Sequence, residues 1–522
     1  MTSLTTSPSD SLWVRRFAWL LAGVFVFRLG FMLLFTANMD LAGDEAYYWD
    51  WGRRPDWGYF SKPPMIGWLM GLVGWLTGNA EWGIRLAPLI FGTATLAVLF
   101  ALARRLFGAA TAFLAALLIL LTPANTGLNL FFTIDAPLLL CWSLALLLFW
   151  FALDKPTCLW RWAALALTIG LGTLSKQMML AFPGLMIAFV LTSKPDRHLL
   201  RNVPFWASML IGTAFITPVL WWNTQHEWIT LEHTKHHFET KSLSFSKWLS
   251  RTLEFPAVQA LVYSPITYAA LLVVLFYSVK HWSRMDRRAH YLIRFSAPAL
   301  LGFFSLSLRQ KINPNWPAVF YVPAFILLAA WFTGQLPFVA RPFWKTWSLR
   351  VGATIVALAH LVLLIVFFTD LKGHKKLNEM RGWAETGIQA GQFLDRVPRP
   401  ENTFVLATGY RYDAAQLAFT MPQHPRTYRW ERSGRVLSQY EVWPGPEERI
   451  GDDALIFKNG NAEPRPLFAP LTQRFEKIES LGRVEVKLGE GNTRIFDVFL
   501  GHKLLSWEKP GTPKPKALST EH

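Results

Sequence analysis

The sequence predicts a polytopic α-helical membrane protein with a small C-terminal α/β domain, and three observations predict it. Of the 522 residues, 52% are hydrophobic and only 17% are charged, whereas roughly a quarter are charged in soluble domains. Apolar runs long enough to span a bilayer, or nearly so, recur from residue 17 to residue 369. Past residue 370 the pattern changes to short strand-like runs separated by turn residues.

The elements follow in order. The first run, 17–36, has no small-residue cleavage site after it and reads as a retained anchor. A polar loop at 37–82 follows, and its Gly-rich apolar piece 65–77 is too short to cross and suits the interface. Further runs lie at 83–103, 109–122, 136–153, 162–175, 177–192 and 203–222. Others are 264–280, 291–308, 316–335 and 349–369. Together they predict about 11–13 transmembrane helices, with 1–370 as the membrane domain. In 371–507, "NTFVLAT", "DDALIFK" and "TRIFDVFLG" read as strands and "YDAAQLAFTM" as a short helix. The Pro- and Lys-rich tail 508–522 is expected to be disordered.

Charge follows the spans. With a cytoplasmic N-terminus, Arg15, Arg16, Arg104, Arg105, Lys155, Arg161, Lys194, Arg197 and Arg201 fall on the cytoplasmic side. So do Lys280, Arg284, Arg287, Arg288, Arg341 and Lys345. This accounts for much of the +17 net charge without nucleic acid as a partner. An odd number of spans puts everything after Asp370 outside the cytoplasm. Cys141 and Cys158 offer neither a disulfide scaffold nor a metal cage, and the lack of any Gly-Lys pair excludes a P-loop.

Under this topology the unusual polar residues collect on the outer side. They are Asp44, Glu45, Tyr59 and Lys62 in the first outer loop, Asp135 at the start of the fourth run, and Lys176 between two runs. The loop 223–263 adds His233, His236 and His237, and "RQKINPNWP" adds Arg309, Lys311, Asn315 and Trp316. Each has a plainer reading. Asp44 and Glu45 suit a solvated acidic pair, and on a helix their side chains diverge by about 100°, so at most one faces a given cavity. Asp135 suits an N-cap with Pro137 in the first turn. Lys62, Lys176 and the "RQK" cations suit snorkelling to head groups. The histidine spacing matches no strong zinc signature.

As a set, these residues suit one chemistry. A carboxylate can take a proton from a hydroxyl, and cations can hold a phosphate leaving group at head-group depth. Transfer of a sugar from a polyprenyl phosphate carrier meets all these demands. Two other readings stay open: a transporter or flippase of lipid-linked sugars, favoured by Arg28 inside the first span, and a membrane anchor bearing an outer binding module.

The stretches "GDEAYYWDW", "GYFSKPPMIGWL", "FFTIDAPLLLCW", "GLGTLSKQMMLAFPG" and "INPNWPA" resemble the bacterial branch of the protein O-mannosyltransferase superfamily. These GT-C glycosyltransferases include the lipid A aminoarabinose transferases and the galacturonosyl transferases of lipopolysaccharide. The resemblance implies two helices along the outer face within 37–82 and a cavity open to lipid. It implies Asp44 as catalytic base with Glu45 beside it, Lys62 on the phosphate of the donor, and Asp135 as a second acid. Lys176, Arg309 and Lys311 would assist with the phosphate; Tyr59, His233, Asn315 and Trp316 would line the cavity or meet the acceptor. The partners implied are a polyprenyl-phosphate-linked sugar, a lipid or glycan acceptor such as lipid A or lipopolysaccharide, and membrane lipids. The location implied is a bacterial inner membrane with a periplasmic C-terminal domain. His233 resembles a family "EH" element associated with a divalent metal, yet the accompanying acid before the Lys of "FxKP" is Ser61 here. No cofactor is otherwise expected.

Overall fold

A computed structural model of the chain describes residues 8–236, 244–368, 375–460, 467, 469–489 and 492–508. His237, Asp370 and the tail 509–522 lie outside the described residues, as does the side chain of His236.

The chain opens with α1 (Pro8–Asn38), α2 (Gly43–Gly52), α3 (Met65–Thr77) and α4 (Glu81–Phe107). Next are α5 (Ala109–Leu120), α6 (Pro123–Leu130), α7 (Asp135–Asp154), α8 (Leu159–Ser175) and α9 (Ala181–Thr192). Then come α10 (Val203–Ala214), α11 (Thr217–Gln225), α12 (Ile229–His236), α13 (Phe245–Tyr263) and α14 (Pro265–Lys280). The bundle closes with α15 (Arg287–Arg294), α16 (Ala297–Ser307), α17 (Ala318–Phe332) and α18 (Pro342–Phe368).

Each apolar run of the sequence falls on helical structure, but fewer helices than runs are long enough to cross alone. Among the described residues five helices are both long and apolar enough to span. They are α1, α4, α7, the α10–α11 stretch and α18. Two bent pairs raise the number to seven: α5 with α6, at 73°, and α13 with α14, at 110°. The bends fall at Thr122-Pro123 and Ser264-Pro265, where a proline opens the second helix and lacks the N–H that a continuous helix would need. The other expected runs fall on shorter helices: α8 has 17 residues, α9 has 12, α16 has 11 and α17 has 15.

Lipid and protein faces are distinct. Trp19, Phe27, Trp75, Leu210, Phe276, Leu301 and Phe368 stand exposed, as suits a surface that meets hydrocarbon. All residues of α17 are buried, the mark of a helix apolar all round and enclosed by others. It packs with Trp142, Phe149, Phe182 and Phe189 in the main core.

Between α1 and α4 the chain is pinned rather than loose. Arg85 of α4 donates to the carbonyls of Met39 and Asp40 at 2.6 and 2.5 Å. Helices α2 and α3 touch backbone to backbone: a Cβ on Gly52 would stand 2.4 Å from the Gly71 nitrogen.

After α18 come α19 (Lys375–Asn378), α20 (Trp383–Arg396), β1 (Thr403–Ala407), α21 (Arg411–Thr420) and β2 (Thr427–Arg429). The strands β3 (Asp453–Asn459), β4 (Phe475–Gly489) and β5 (Asn492–Leu504) complete a sheet of order β2-β1-β3-β5-β4. Strand β1 runs parallel to β2 and β3, and β5 runs antiparallel to β3 and β4. The expected strands coincide with β1, β3 and β5, and the expected helix with α21.

The core does not stop where helices give way to sheet. Leu41, Ala46, Tyr47 and Trp51 share one hydrophobic cluster with Leu417, Phe419, Tyr440 and Phe496. Polar links reinforce it. Asp40 accepts the N–H groups of Trp383 and Ala384 at the start of α20, at 2.7 and 3.1 Å. Gln416 donates to the Leu41 carbonyl at 2.7 Å, and the Tyr440 hydroxyl donates to buried Asp50 at 2.8 Å. The sheet is thereby docked onto α2.

Candidate active site

That docking leaves a cavity of about 620 Å³ at the junction. Asp44, Tyr47 and Tyr48 of α2, the turn Phe60-Ser61-Lys62, Thr133 and Asp135 before and in α7, and Lys176 after α8 line it. His233 of α12, Asn313, Asn315 and Trp316, and Tyr410 with Arg411 from the sheet domain also line it, with Leu128 and Phe131 among its apolar contacts.

Local structure explains each position. Asp44 and Glu45 open α2, and the helix turn sends them to different sides. Asp44 faces the cavity, where its Oδ1 accepts the Tyr412 hydroxyl at 2.8 Å. Gly43 permits that contact, since a Cβ there would lie 2.4 Å from the Tyr412 ring. Glu45, expected beside it in catalysis, is turned inward and buried. Its carboxylate accepts the N–H of Ala42 and of Phe132, both at 3.0 Å, and lies 4.0 Å from Arg85. It closes the helix N-terminus on itself, the reciprocal half of a capping box.

Lys62 leaves a tight turn closed by backbone bonds between Tyr59 and Lys62, so its Cα is fixed at the cavity edge. Burial, then the nearby Lys176 charge, lowers its pKa below the ordinary 10.5. Tyr59, expected in the lining, is fully buried outside it. Its hydroxyl donates to the Trp51 or Arg54 carbonyl, 3.1 and 3.2 Å away, and its ring stacks on Trp51 at 4.4 Å. It supports the turn, and Phe60 and Ser61 do the lining instead.

Asp135 is the first residue of α7, and its carboxylate does not cap that helix. It accepts Lys176 Nζ at 2.8 Å and Asn315 Nδ2 at 2.6 Å, and is 3% exposed. The N-cap and snorkelling readings of these two residues therefore give way to a buried ion pair. His233 reaches the cavity with its ring 4.8 Å from Phe60.

Arg309 and Lys311 are displaced from the expected site. In the turn that ends α16 the N–H groups of Arg309 and Gln310 both bond to the Leu306 carbonyl, and there Gln310 and Ile312 are buried while Arg309 and Lys311 are exposed. Lys311 pairs with Glu254 at 2.8 Å. Asn313, Asn315 and Trp316 supply that loop's share of the wall. Arg28, the basis of the transport reading, donates to Asn125 at 2.5 Å and is not in the lining.

Sequence reasoning missed Tyr47, Tyr48, Asn313, Tyr410, Arg411 and Tyr412. The three from "GYRYD" sit more than 360 positions from Asp44, and no periodicity announces such a meeting. As for a metal, among the described residues no group of three His, Cys, Asp or Glu side chains could hold one. Ser61 stands where an acid would be needed beside His233. The donor set does not fit, and no step is routed through an ion.

Comparison with known proteins accords with this arrangement. The family model for dolichyl-phosphate-mannose-protein mannosyltransferase matches residues 61–222. Over 419 residues the chain is 31% identical to lipid A galacturonosyltransferase RgtD of Rhizobium johnstonii, covering 78% of this chain and 84% of that protein. Its fold matches the crystal structure of ArnT from Cupriavidus metallidurans bound to undecaprenyl phosphate, with TM-score 0.61 and 18% identity. That match spans 93% of this chain and 98% of the other, and the apo form gives the same TM-score and coverage at 16% identity.

Fold and relatives together define a multi-pass membrane glycosyltransferase of the GT-C class. The chain belongs to the dolichyl-phosphate-mannose-protein mannosyltransferase family.

Proposed function

We propose that this glycosyltransferase moves a sugar from a polyprenyl (undecaprenyl) phosphate to a cell-envelope acceptor, lipid A or lipopolysaccharide, on the periplasmic face of the inner membrane. One observation carries the reading: Asp44 and Lys62, a hydroxyl-bonded acid and a cation depressed in pKa by burial, face the same cavity. Two similar proteins support it, one a lipid A galacturonosyltransferase and one seen with undecaprenyl phosphate. An acidic sugar of the uronic class is accordingly the proposed donor.

The geometry suits a single displacement. Asp44 takes the proton of the acceptor hydroxyl, and the oxygen attacks the anomeric carbon. The bond from that carbon to the phosphate oxygen breaks on the opposite side, so configuration inverts. The electron pair leaves on the polyprenyl phosphate, where Lys62 offsets the growing charge; one well-placed donor in a water-poor site contributes about 3 kcal/mol. Lys176 is committed to Asp135 and shapes the floor. His233, Asn313 and Trp316 would meet sugar or acceptor.

The test is direct. Purified protein is incubated with a labelled polyprenyl-phosphate sugar and lipid A, and both labelled lipid and free polyprenyl phosphate are measured. Stoichiometric appearance of the two is expected. Movement of intact donor across a vesicle wall without its cleavage would replace the reading with transport.

A further inference from the structure

Arg411 opens α21, and its guanidinium enters the cavity beside Asp44. One Nη lies 3.2 Å from the Tyr412 hydroxyl, to which it donates, and 3.8 Å from Asp44 Oδ1. The Tyr410, Tyr412 and Tyr47 rings stand 4.8, 4.9 and 5.4 Å from its Cζ. Its Nε is buried and has no hydrogen-bond partner among the described residues. A guanidinium offers five N–H donors in a planar fork that matches carboxylate and phosphate. Here the protein uses little of that capacity, while three aromatic rings hold the fork in place.

The other cations are already disposed of. Lys176 is paired with Asp135, and Lys62 suits the leaving phosphate. In an inverting displacement the attacking hydroxyl and the leaving phosphate occupy opposite sides of the anomeric carbon. Asp44 marks the attacking side, and Arg411 stands on that side with it.

We propose that Arg411, supplied by the sheet domain, determines specificity by binding an anionic group of the substrates on the attacking side. The group is a carboxylate of the donor sugar or a phosphate of the acceptor. The proposal rests on the glycosyl-transfer reading above.

The experiment compares wild type, Arg411→Gln and Arg411→Lys on four substrate combinations. Donors are undecaprenyl-phosphate uronic acid and the neutral hexose of the same configuration; acceptors are lipid A and its dephosphorylated form. Donor affinity is also measured in Asp44→Asn protein with and without each Arg411 change, so that binding without turnover is seen. Loss of a charge-assisted pair predicts a fall of about 10–100-fold in kcat/KM, confined to the anion-bearing member of one substrate pair. A fall confined to the uronic donor assigns the carboxylate, and one confined to phosphorylated lipid A assigns the phosphate. Arg411→Lys, which keeps the charge but not the fork, is expected to lose about 10-fold on that same member; it decides the matter if the Gln variant does not fold. Equal loss on all four combinations, or none, would overturn the proposal, as would lost affinity for undecaprenyl phosphate itself. Wild-type protein that cleaves no donor would instead overturn the glycosyl-transfer reading.

Discussion

Two walls of one cavity use the same kinds of side chain to opposite ends. On the bundle wall, Asp135, Lys176 and Asn315 form a closed set in which the acid is bonded on both oxygens. On the wall where α2 meets the sheet domain, Asp44 holds one hydroxyl on one oxygen, Arg411 keeps unused donors, and Lys62 has no carboxylate within ion-pair distance among the described residues. A satisfied buried pair makes shape, because separating it would leave a charge uncompensated. A partly satisfied acid facing space is free to exchange a proton.

Substitutions that break this contrast rank by size. Asp44→Asn is expected to lower kcat by ~10²–10⁴-fold with an unchanged unfolding midpoint, since only the proposed general base is removed. Near-normal turnover of labelled donor would take Asp44 out of the mechanism. Asp135→Ala should instead act on folding, at about 3–5 kcal/mol, because Lys176 is left buried and unpaired. Thermal unfolding in detergent checks this, and a midpoint equal to wild type would move Asp135 into the open class. Lys62→Ala should weaken undecaprenyl phosphate binding by about 10–100-fold; equal affinity in a binding titration would return Lys62 to a head-group role.

Acidity sharpens the same point. Lys62 is protonated below its pKa, which burial and Lys176 hold beneath 10.5. Carrier affinity should therefore fall, as pH rises, earlier than an ordinary lysine would allow. The Lys62→Ala variant lacks the titrating amine, so its fall with pH should be shallower. The smallest effect is expected at Lys311→Ala. Its exposed pair with Glu254 contributes roughly 0–1 kcal/mol, and activity should stay within error of wild type.

Legibility followed the same divide. Apolar runs gave the helices because a bilayer demands them locally, one stretch at a time. Short runs rich in aromatic and β-branched residues, as in "NTFVLAT" and "TRIFDVFLG", gave strands for a similar reason. Asp44, Lys62 and Asp135 were legible as polar residues standing where apolar ones are the norm. The reading failed where orientation decides. Glu45 is one residue from Asp44, yet the helix turn sends it into a cap. Arg309 and Lys311 belong to the loop that lines the cavity, yet the turn after α16 leaves them exposed. Tyr59 had the right company but the wrong direction.

By itself the sequence determined the membrane bundle, the sheet domain and which ionisable groups are unusual, because hydropathy and charge are properties of short segments. Only the tertiary structure decided that "GYRYD" meets Asp44 at the cavity, that Asp135 is bound to Lys176, and that two outer cations lie outside the lining. Those outcomes depend on how surfaces far apart in the chain pack together, and packing is set by the whole core rather than by any stretch of it.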